Sequence, residues 1–151
     1  MTTAELTLER PDATTGEQVL TNAHIVTETE TFTGTVRLKD GIIADLDRGR
    51  SQIPAARDCQ GRYLIPGLVE LHTDNLEKHF SPRPGVIWPS EPAVITHDAH
   101  IASSGITTVF DALSVGDVAT ESTRVQHLQT LLDALAHTHH NNLLRAQHLL
   151  H

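Results

Sequence analysis

The first third of the chain alternates between apolar and polar positions in short runs. Residues 18–27 are rich in β-branched side chains and predict a strand. Alternation predicts two more strands at residues 34–39 and 42–46. The pair Asp40-Gly41 between them is typical of a tight hairpin turn. We therefore expect a small antiparallel unit with one polar face, followed by a charged loop over residues 47–57.

A nearly continuous apolar run follows and ends abruptly in polar residues. It reads Y-L-I-P-G-L-V-E-L-H-T-D from Tyr63 onward, which is typical of a buried strand in a parallel sheet. Pro66-Gly67 predicts a kink between residues 63–65 and a strand at 68–72. Side chains alternate along a strand, so His72 and Asp74 are expected to point to the same side. An imidazole and a carboxylate there predict half of a metal site.

The second half of the chain alternates between helices and strands. Four prolines make residues 81–92 an irregular loop. Ser90 is the expected N-cap of a helix over residues 93–104, and Gly105 the residue that ends it. The run I-T-T-V-F-D-A-L predicts a strand that ends at Asp111.

A longer helix is predicted over residues 118–140, with Asp117 as its N-cap and Asn141-Asn142 closing it. Its leucines recur at helical spacing and predict one apolar stripe, formed by Leu128, Leu131, Leu132 and Leu135. Residues 143–151 then begin a third strand.

This order predicts an α/β fold with parallel strands in its second part. Three strands match the first part of a (β/α)8 barrel of the TIM type, which needs about 250 residues. We expect a polar lead-in at residues 1–16, strands of a small β-sandwich domain at 17–63 and an incomplete barrel at 64–151. The chain is therefore interpreted as the first part of a longer protein.

Composition narrows the class of partner. The net charge of −8 argues against nucleic acid and anionic membranes as general partners. A single cysteine excludes an internal disulfide, and the chain has neither a transmembrane run nor a signal-peptide core. We expect a soluble, cytoplasmic protein that acts on a small molecule, and association into a homo-oligomer stays open. The histidines near residue 140 are interpreted as a solvent-exposed helix end.

The run D-C-Q-G-R-Y-L-I-P-G-L-V-E-L-H-T-D resembles the start of the barrel in the amidohydrolase superfamily. The usual order there is Asp-x-x-Gly, Pro-Gly, an apolar strand and His-x-His. Asp58, Gly61, Pro66-Gly67 and His72 match this order, and Asp74 replaces the second histidine. The preceding V-R-L-K-D-G-I-I-A-D-L resembles the N-terminal β-sandwich of that superfamily, and G-I-T-T-V-F-D resembles its second barrel strand.

A narrower resemblance is to the diphosphatases of phosphonate metabolism, the carbon–phosphorus lyase pathway. It is carried by E-L-H-T-D-N-L-E-K-H, P-R-P-G, W-P and I-T-T-V-F-D-A-L-S-V-G-D. The resemblance implies hydrolysis of a ribosyl 5-triphosphate to the 5-phosphate and pyrophosphate, with a divalent metal ion such as zinc or manganese. It makes His72 and Asp74 metal ligands, whereas the expected aspartate base lies beyond this chain. The loop residues Lys78, His79 and Arg83 are expected to bind substrate phosphate.

Other interpretations stay open at this point. The same superfamily contains C–N hydrolases of dihydroorotase-like or deacetylase-like type, and the chain could be a non-catalytic truncated product. This part alone is expected to be inactive and to fold poorly. Asp111 is interpreted as a turn-capping residue at the mouth of the barrel, His148 and His151 as packing residues, and Glu77 either as a support for His72 or as an exposed group.

Overall fold

A computed structural model describes residues 16–115 and 124–151 of the chain. These residues form two compact units, one that ends at Pro66 and one that begins at Gly67. The lead-in before residue 16 and the expected N-cap Asp117 lie outside the described residues. Among the described helices, none has the length and the apolar character needed to cross a bilayer.

The first unit is a five-stranded sheet in the order β3-β2-β1-β4, with β5 also paired to β1. Strands β1 to β3 are antiparallel, whereas β4 and β5 run parallel to β1. Its core is formed by Ala23, Ile25 and Val36. The strands are β1 (Glu17–Val26), β2 (Thr31–Lys39), β3 (Ile42–Arg48), β4 (Arg57–Asp58) and β5 (Tyr63–Leu64).

The predicted hairpin turn joins β2 to β3. Asp40 and Gly41 have φ angles of 50° and 77°, the left-handed conformations that a two-residue hairpin loop with two positive φ angles requires. The hairpin prediction is confirmed, and β2 begins three residues earlier than the sequence pattern indicated, at Thr31.

The second unit contains a parallel three-stranded sheet in the order β6-β7-β8. Three helices join these strands and pack on one another through a core that includes Leu76, Val94 and Leu131. Leu131 and Leu135 of the predicted leucine stripe are buried. The elements are β6 (Leu68–Thr73), α1 (Asn75–Phe80), α2 (Ser90–Ser103), β7 (Ile106–Asp111), α3 (Arg124–His140) and β8 (Gln147–Leu150).

The Pro66-Gly67 kink separates β5 from β6, as predicted. Gly67 lies directly against β7, because a Cβ atom added to it would approach the side chain of Thr107 to 2.1 Å. The backbone N–H of Leu68 also donates to the carbonyl of Gly105 at 3.0 Å. Glycine thus allows β6 to begin in close contact with its neighbour.

The expectation that β6 is buried on both faces is wrong for this chain. Leu68, Val69 and Leu71 are 52%, 54% and 69% exposed, whereas Thr73 is buried. Helices of the unit do not cover both sides of this strand, so only part of the apolar run is removed from water. An exposed apolar surface of this kind normally marks an interface.

Two local predictions also need correction. Lys78 and His79, expected on a loop, lie in α1, because Leu76 and Phe80 one helical turn apart are both buried in the core. Ser90 is the first residue of α2 and not its N-cap. The N–H of Ala93 donates to the carbonyl of Pro89 at 3.1 Å, so the helix begins earlier than predicted.

Candidate functional site

The predicted metal ligands lie at the carboxyl end of β6. His72 is the second-last residue of β6, and Asp74 follows the strand at the N-cap position of α1. Both side chains are exposed. The ring of His72 packs edge-on against the ring of His151, with 4.8 Å between the centroids. Both residues are therefore open to a ligand from solvent.

Asp74 has a cationic partner in the next helical turn. Its Oδ1 atom accepts a hydrogen bond from Nζ of Lys78 at 2.9 Å. This hydrogen bond and the charge of Lys78 hold the pKa of the Asp74 carboxyl below its usual 3.8. An exposed pair of this kind adds little to stability, but it keeps Asp74 in the ionised form that a metal ion binds.

Two of the three residues predicted to bind phosphate line the same pocket, and the third lies in a separate turn. Lys78 and His79 line a shallow pocket of about 170 Å³ with Trp88, whereas Arg83 lies in the turn that pairs it with Val86. Burial, together with the nearby charges of His97 and His100, lowers the pKa of His79 below 6.5. Lys78 is therefore the permanent positive charge of this pocket.

Glu77 does not support His72. Both of its carboxylate oxygens accept hydrogen bonds from Ser114, the first from the backbone N–H at 2.6 Å and the second from the hydroxyl at 3.1 Å. Glu77 thereby ties α1 to the loop after β7, which holds the helix that carries Lys78.

A second group of polar side chains is fully buried in the same unit. His97 of α2, Asp111 of β7 and His148 of β8 are at most 2% exposed. Nε2 of His97 lies 2.8 Å from Oδ1 of Asp111, and Nδ1 of His148 lies 2.7 Å from its Oδ2. An ionised carboxylate only accepts hydrogen bonds, so each imidazole donates one to Asp111.

Asp98 extends this buried group on the far side of His148. Its Oδ1 atom lies 3.3 Å from Nε2 of His148 and accepts the backbone N–H of Ala146 at 2.9 Å. The backbone N–H of Arg145 also donates to both of its oxygens, at 2.9 and 3.0 Å. Asp98 is completely buried, so these bonds replace its lost hydration.

The buried contacts shift two pKa values in opposite directions. Burial penalises the charged form of His148, but hydrogen bonds to Asp111 and Asp98 and their charges outweigh it and raise its pKa above 6.5. Burial would raise the pKa of Asp111, but hydrogen bonds from His148 and His97 outweigh it and lower that pKa below 3.8. His148 is thus stabilised as a cation and Asp111 as an anion.

Sequence reasoning placed Asp111 at the mouth of the barrel, and this is wrong. Asp111 points into the layer between the sheet and α2, because it shares its face of β7 with the buried Val109. His97 and Asp98 were missed. The sequence did contain an indication of both residues. They lie on the buried face of α2 between Val94 and Ile101, where helical periodicity predicts apolar side chains. His148 is buried, in agreement with a packing role.

Among the described residues, one group of three or more potential metal ligands converges, and it consists of His97, Asp111 and His148. The predicted pair His72 and Asp74 is not part of it. The site residues expected from the sequence therefore remain a prediction, and the buried group is an independent candidate for cation binding.

Solved structures identify the class of fold. The dihydropyrimidinase from Brevibacillus agri NCHU1002 superposes with a TM-score of 0.57 and 18% identity, over 90% of this chain and 27% of that one. A D-hydantoinase superposes with a TM-score of 0.52 and 23% identity, over 77% of this chain and 24% of that one. The described residues thus have the fold predicted from the sequence, the first part of a (β/α)8 barrel of the TIM type preceded by a β-rich domain.

A sequence relative narrows the resemblance. The chain is 41% identical over 133 residues to alpha-D-ribose 1-methylphosphonate 5-triphosphate diphosphatase of Escherichia coli (strain K12). The match covers 88% of this chain and 35% of the relative, in its N-terminal part. The resemblance to phosphonate-pathway diphosphatases is confirmed. No family model matches the chain.

Proposed function

We propose that a polypeptide containing this chain is a metal-dependent hydrolase that cleaves a phosphoanhydride. The proposed substrate is a ribosyl 5-triphosphate, and the products are the 5-phosphate and pyrophosphate. The observation that carries the proposal is the 41% identity over 133 residues to a diphosphatase. A continuous match of that length in a chain of 151 residues must include the stretch from Tyr63 to Arg83, which contains the proposed site.

His72 and Asp74 are the proposed metal ligands of this chain. An imidazole nitrogen and a carboxylate oxygen suit zinc or manganese, and both side chains are exposed at the end of β6. A bound divalent ion would polarise the phosphoanhydride and activate a water molecule for attack. The contribution of this chain is to hold Asp74 ionised beside Lys78 and to direct His72 outward from the strand end.

Lys78 is the proposed phosphate-binding cation. Its Nζ atom lies 2.9 Å from Asp74, so a phosphate oxygen beside the proposed metal ligands would also be near Lys78. Hydrolysis places negative charge on the leaving pyrophosphate, and a fixed ammonium group there stabilises it. His79 offers an uncharged hydrogen-bonding ring in the same pocket, and Arg83 is proposed to reach the phosphates with its planar guanidinium group.

The proposed metal centre needs further ligand atoms from outside the three described barrel strands. In the described part of the chain, no third histidine, cysteine or carboxylate converges with both His72 and Asp74. A catalytic metal site normally has at least three protein ligands. We therefore propose that the 151-residue chain does not turn over substrate without further strands of the barrel.

The test uses a polypeptide of the relative's length that contains this chain. It is supplied with zinc or manganese and a ribosyl 5-triphosphate, and pyrophosphate release is measured. The double variant His72→Ala, Asp74→Ala should lose turnover at least about 100-fold, because both metal ligands are removed. The matched control is His137→Ala, Asp133→Ala, which changes an exposed pair on α3 and should retain activity.

A cyclic amide is offered to the same preparation to test the competing C–N hydrolase. Ring opening of a dihydropyrimidine or hydantoin without pyrophosphate release would overturn the proposed substrate class while leaving the hydrolase fold intact. Equal activity of the double variant and the wild type would reject His72 and Asp74 as ligands.

A further inference from the structure

We propose that the buried group of His97, Asp111 and His148 binds one divalent transition-metal ion with a structural role, and that zinc fits its donors best. This site lies between α2 and the strands β7 and β8. It uses none of the side chains assigned to the proposed catalytic centre, so it holds or fails independently of the proposed function.

The donor atoms lie near the spacing that one bound ion requires. One ligand atom from each residue lies within 4.8 Å of the other two. Each bond to zinc is about 2 Å long, so two donors of one ion can lie up to roughly 4 Å apart. Uptake of the ion therefore requires movements of less than about 1 Å. Two imidazole nitrogens and one carboxylate oxygen form a donor set that zinc accepts readily.

Asp98 provides the support that metal-binding histidines usually have. A histidine ligand commonly donates its second ring N–H to a carboxylate, which fixes the tautomer and the orientation of the ring. Nε2 of His148 faces Asp98 at 3.3 Å, which leaves Nδ1 directed at Asp111. Backbone N–H groups of Arg145 and Ala146 hold Asp98 in turn.

The local charge also favours a dication. Asp98 and Asp111 are two carboxylates with no exposed surface. Their described partners that can carry positive charge are the buried His97 and His148, each charged only when its ring is doubly protonated, and Arg145, whose guanidinium is 3.6 Å from Asp98 and 67% exposed. Buried charges are costly unless they are paired closely. A divalent ion that replaced the protons shared between the imidazoles and the carboxylates would neutralise the negative charges of both Asp98 and Asp111.

The proposed ion would join three elements that are distant in the sequence. His97 lies in α2, Asp111 ends β7 and His148 lies in β8. Binding at these residues requires the folded arrangement, so the ion should stabilise the folded state by mass action. We expect saturating zinc to raise the thermal midpoint of the second unit by about 5 °C or more.

The first experiment uses the wild-type chain of 151 residues. After removal of metals with a chelator, the protein is titrated with zinc and followed by ¹⁵N NMR of the histidine rings. We expect one tightly bound ion and large shifts of Nε2 of His97 and Nδ1 of His148. Absence of stoichiometric uptake, or shifts confined to exposed rings such as His137 and His140, would overturn the proposal.

The second experiment separates this ion from the proposed catalytic one. His97→Gln and His148→Gln should each lower zinc affinity by about 100-fold or more, because loss of a ligand should cost at least as much as the roughly 10–100-fold typical of losing a residue that only orients a ligand. His72→Ala with Asp74→Ala should leave it unchanged, and His140→Gln is the matched surface control. Retention of the ion in the His97→Gln variant with loss in the His72, Asp74 variant would assign the ion to the strand end and reject the buried site. The wild-type NMR result does not depend on whether these variants fold.

Discussion

Nδ1 of His148 lies 2.7 Å from Oδ2 of Asp111 and joins two neighbouring strands inside the protein. A backbone hydrogen bond also holds the same end of β7, because the N–H of His151 donates to the carbonyl of Asp111 at 3.0 Å. His151 in turn contacts the ring of His72. The buried bond therefore helps to set the position of the strand ends on which the proposed catalytic residues lie.

Replacement of Asp111 by asparagine should destabilise the second unit. The amide nitrogen of asparagine cannot accept a hydrogen bond, so one of the two imidazoles loses its partner in a buried environment. With zinc removed, we expect the free energy of unfolding to fall by about 2–4 kcal/mol. Urea denaturation followed by circular dichroism measures this change.

The control for that variant is Asp133→Asn on the exposed face of α3, where the carboxylate accepts a hydrogen bond from the exposed Gln129. It should change stability by less than about 0.5 kcal/mol. Equal effects of the two substitutions would show that the buried hydrogen bonds of Asp111 do not contribute to stability.

Stability of the metal-free protein should depend on the charge of His148. The pKa of its ring is raised above 6.5 in the folded state, so the folded state holds this proton more tightly than the unfolded chain. The resulting stabilisation is present below pH 6.5 and is lost as the pH rises through the raised pKa. Urea midpoints measured with a chelator across this window should therefore decrease with pH.

The control for the pH experiment is His148→Gln, which cannot titrate. Its stability should be lower, and this component of the pH dependence should be absent. A variant that follows the wild-type curve would assign the pH dependence to another group.

Gly67→Ala should disturb the contact between β6 and β7. An added Cβ would lie 2.7 Å or less from three side-chain atoms of Thr107, and overpacking of this kind costs about 1–3 kcal/mol. Removal of that side chain should relieve the clash, so the cost of Gly67→Ala should be smaller when Thr107→Gly is also present. Urea denaturation of the four proteins in this double-mutant cycle gives the coupling energy, and a coupling of zero would contradict the close approach.

Lys78→Met should affect phosphate binding more than stability. The Lys78–Asp74 pair is exposed, so its loss should leave the urea midpoint close to that of the wild type. In a polypeptide that contains the whole barrel, we expect a fall of about 10-fold or more in kcat/KM for the triphosphate, because a charge-assisted contact is lost. Lys39→Met on β2 is the matched control. The same fall of kcat/KM in both variants would show that Lys78 does not bind the phosphate.

Features that depend on neighbouring residues were predictable from the sequence. The Asp40-Gly41 turn follows from the need for positive φ angles, and the break at Pro66-Gly67 follows from the missing N–H of proline. The inward leucines of α3 follow from helical periodicity. The resemblance to a phosphonate-pathway diphosphatase came from an ordered set of such local motifs.

The exposed face of β6 could not be predicted in this way. An apolar run such as Leu68–Thr73 indicates that a strand can be buried, but burial depends on which other elements pack against it. In the described residues Leu68 and Val69, which point to opposite faces of this strand, are both more than half exposed. The short helix α1 was also missed, because its six residues are too few for a clear periodic pattern.

The sequence by itself determined the order of the longer strands and helices, the hairpin turn and the kink, because backbone conformation and side-chain periodicity are local properties. It also placed His72 and Asp74 at a strand end. Only the tertiary structure decided that His97, Asp111 and His148 meet, because parallel pairing of β7 with β8 and packing of α2 on the sheet join residues up to 51 positions apart along the chain. Contacts over such distances depend on how the elements pack, and local patterns do not encode them.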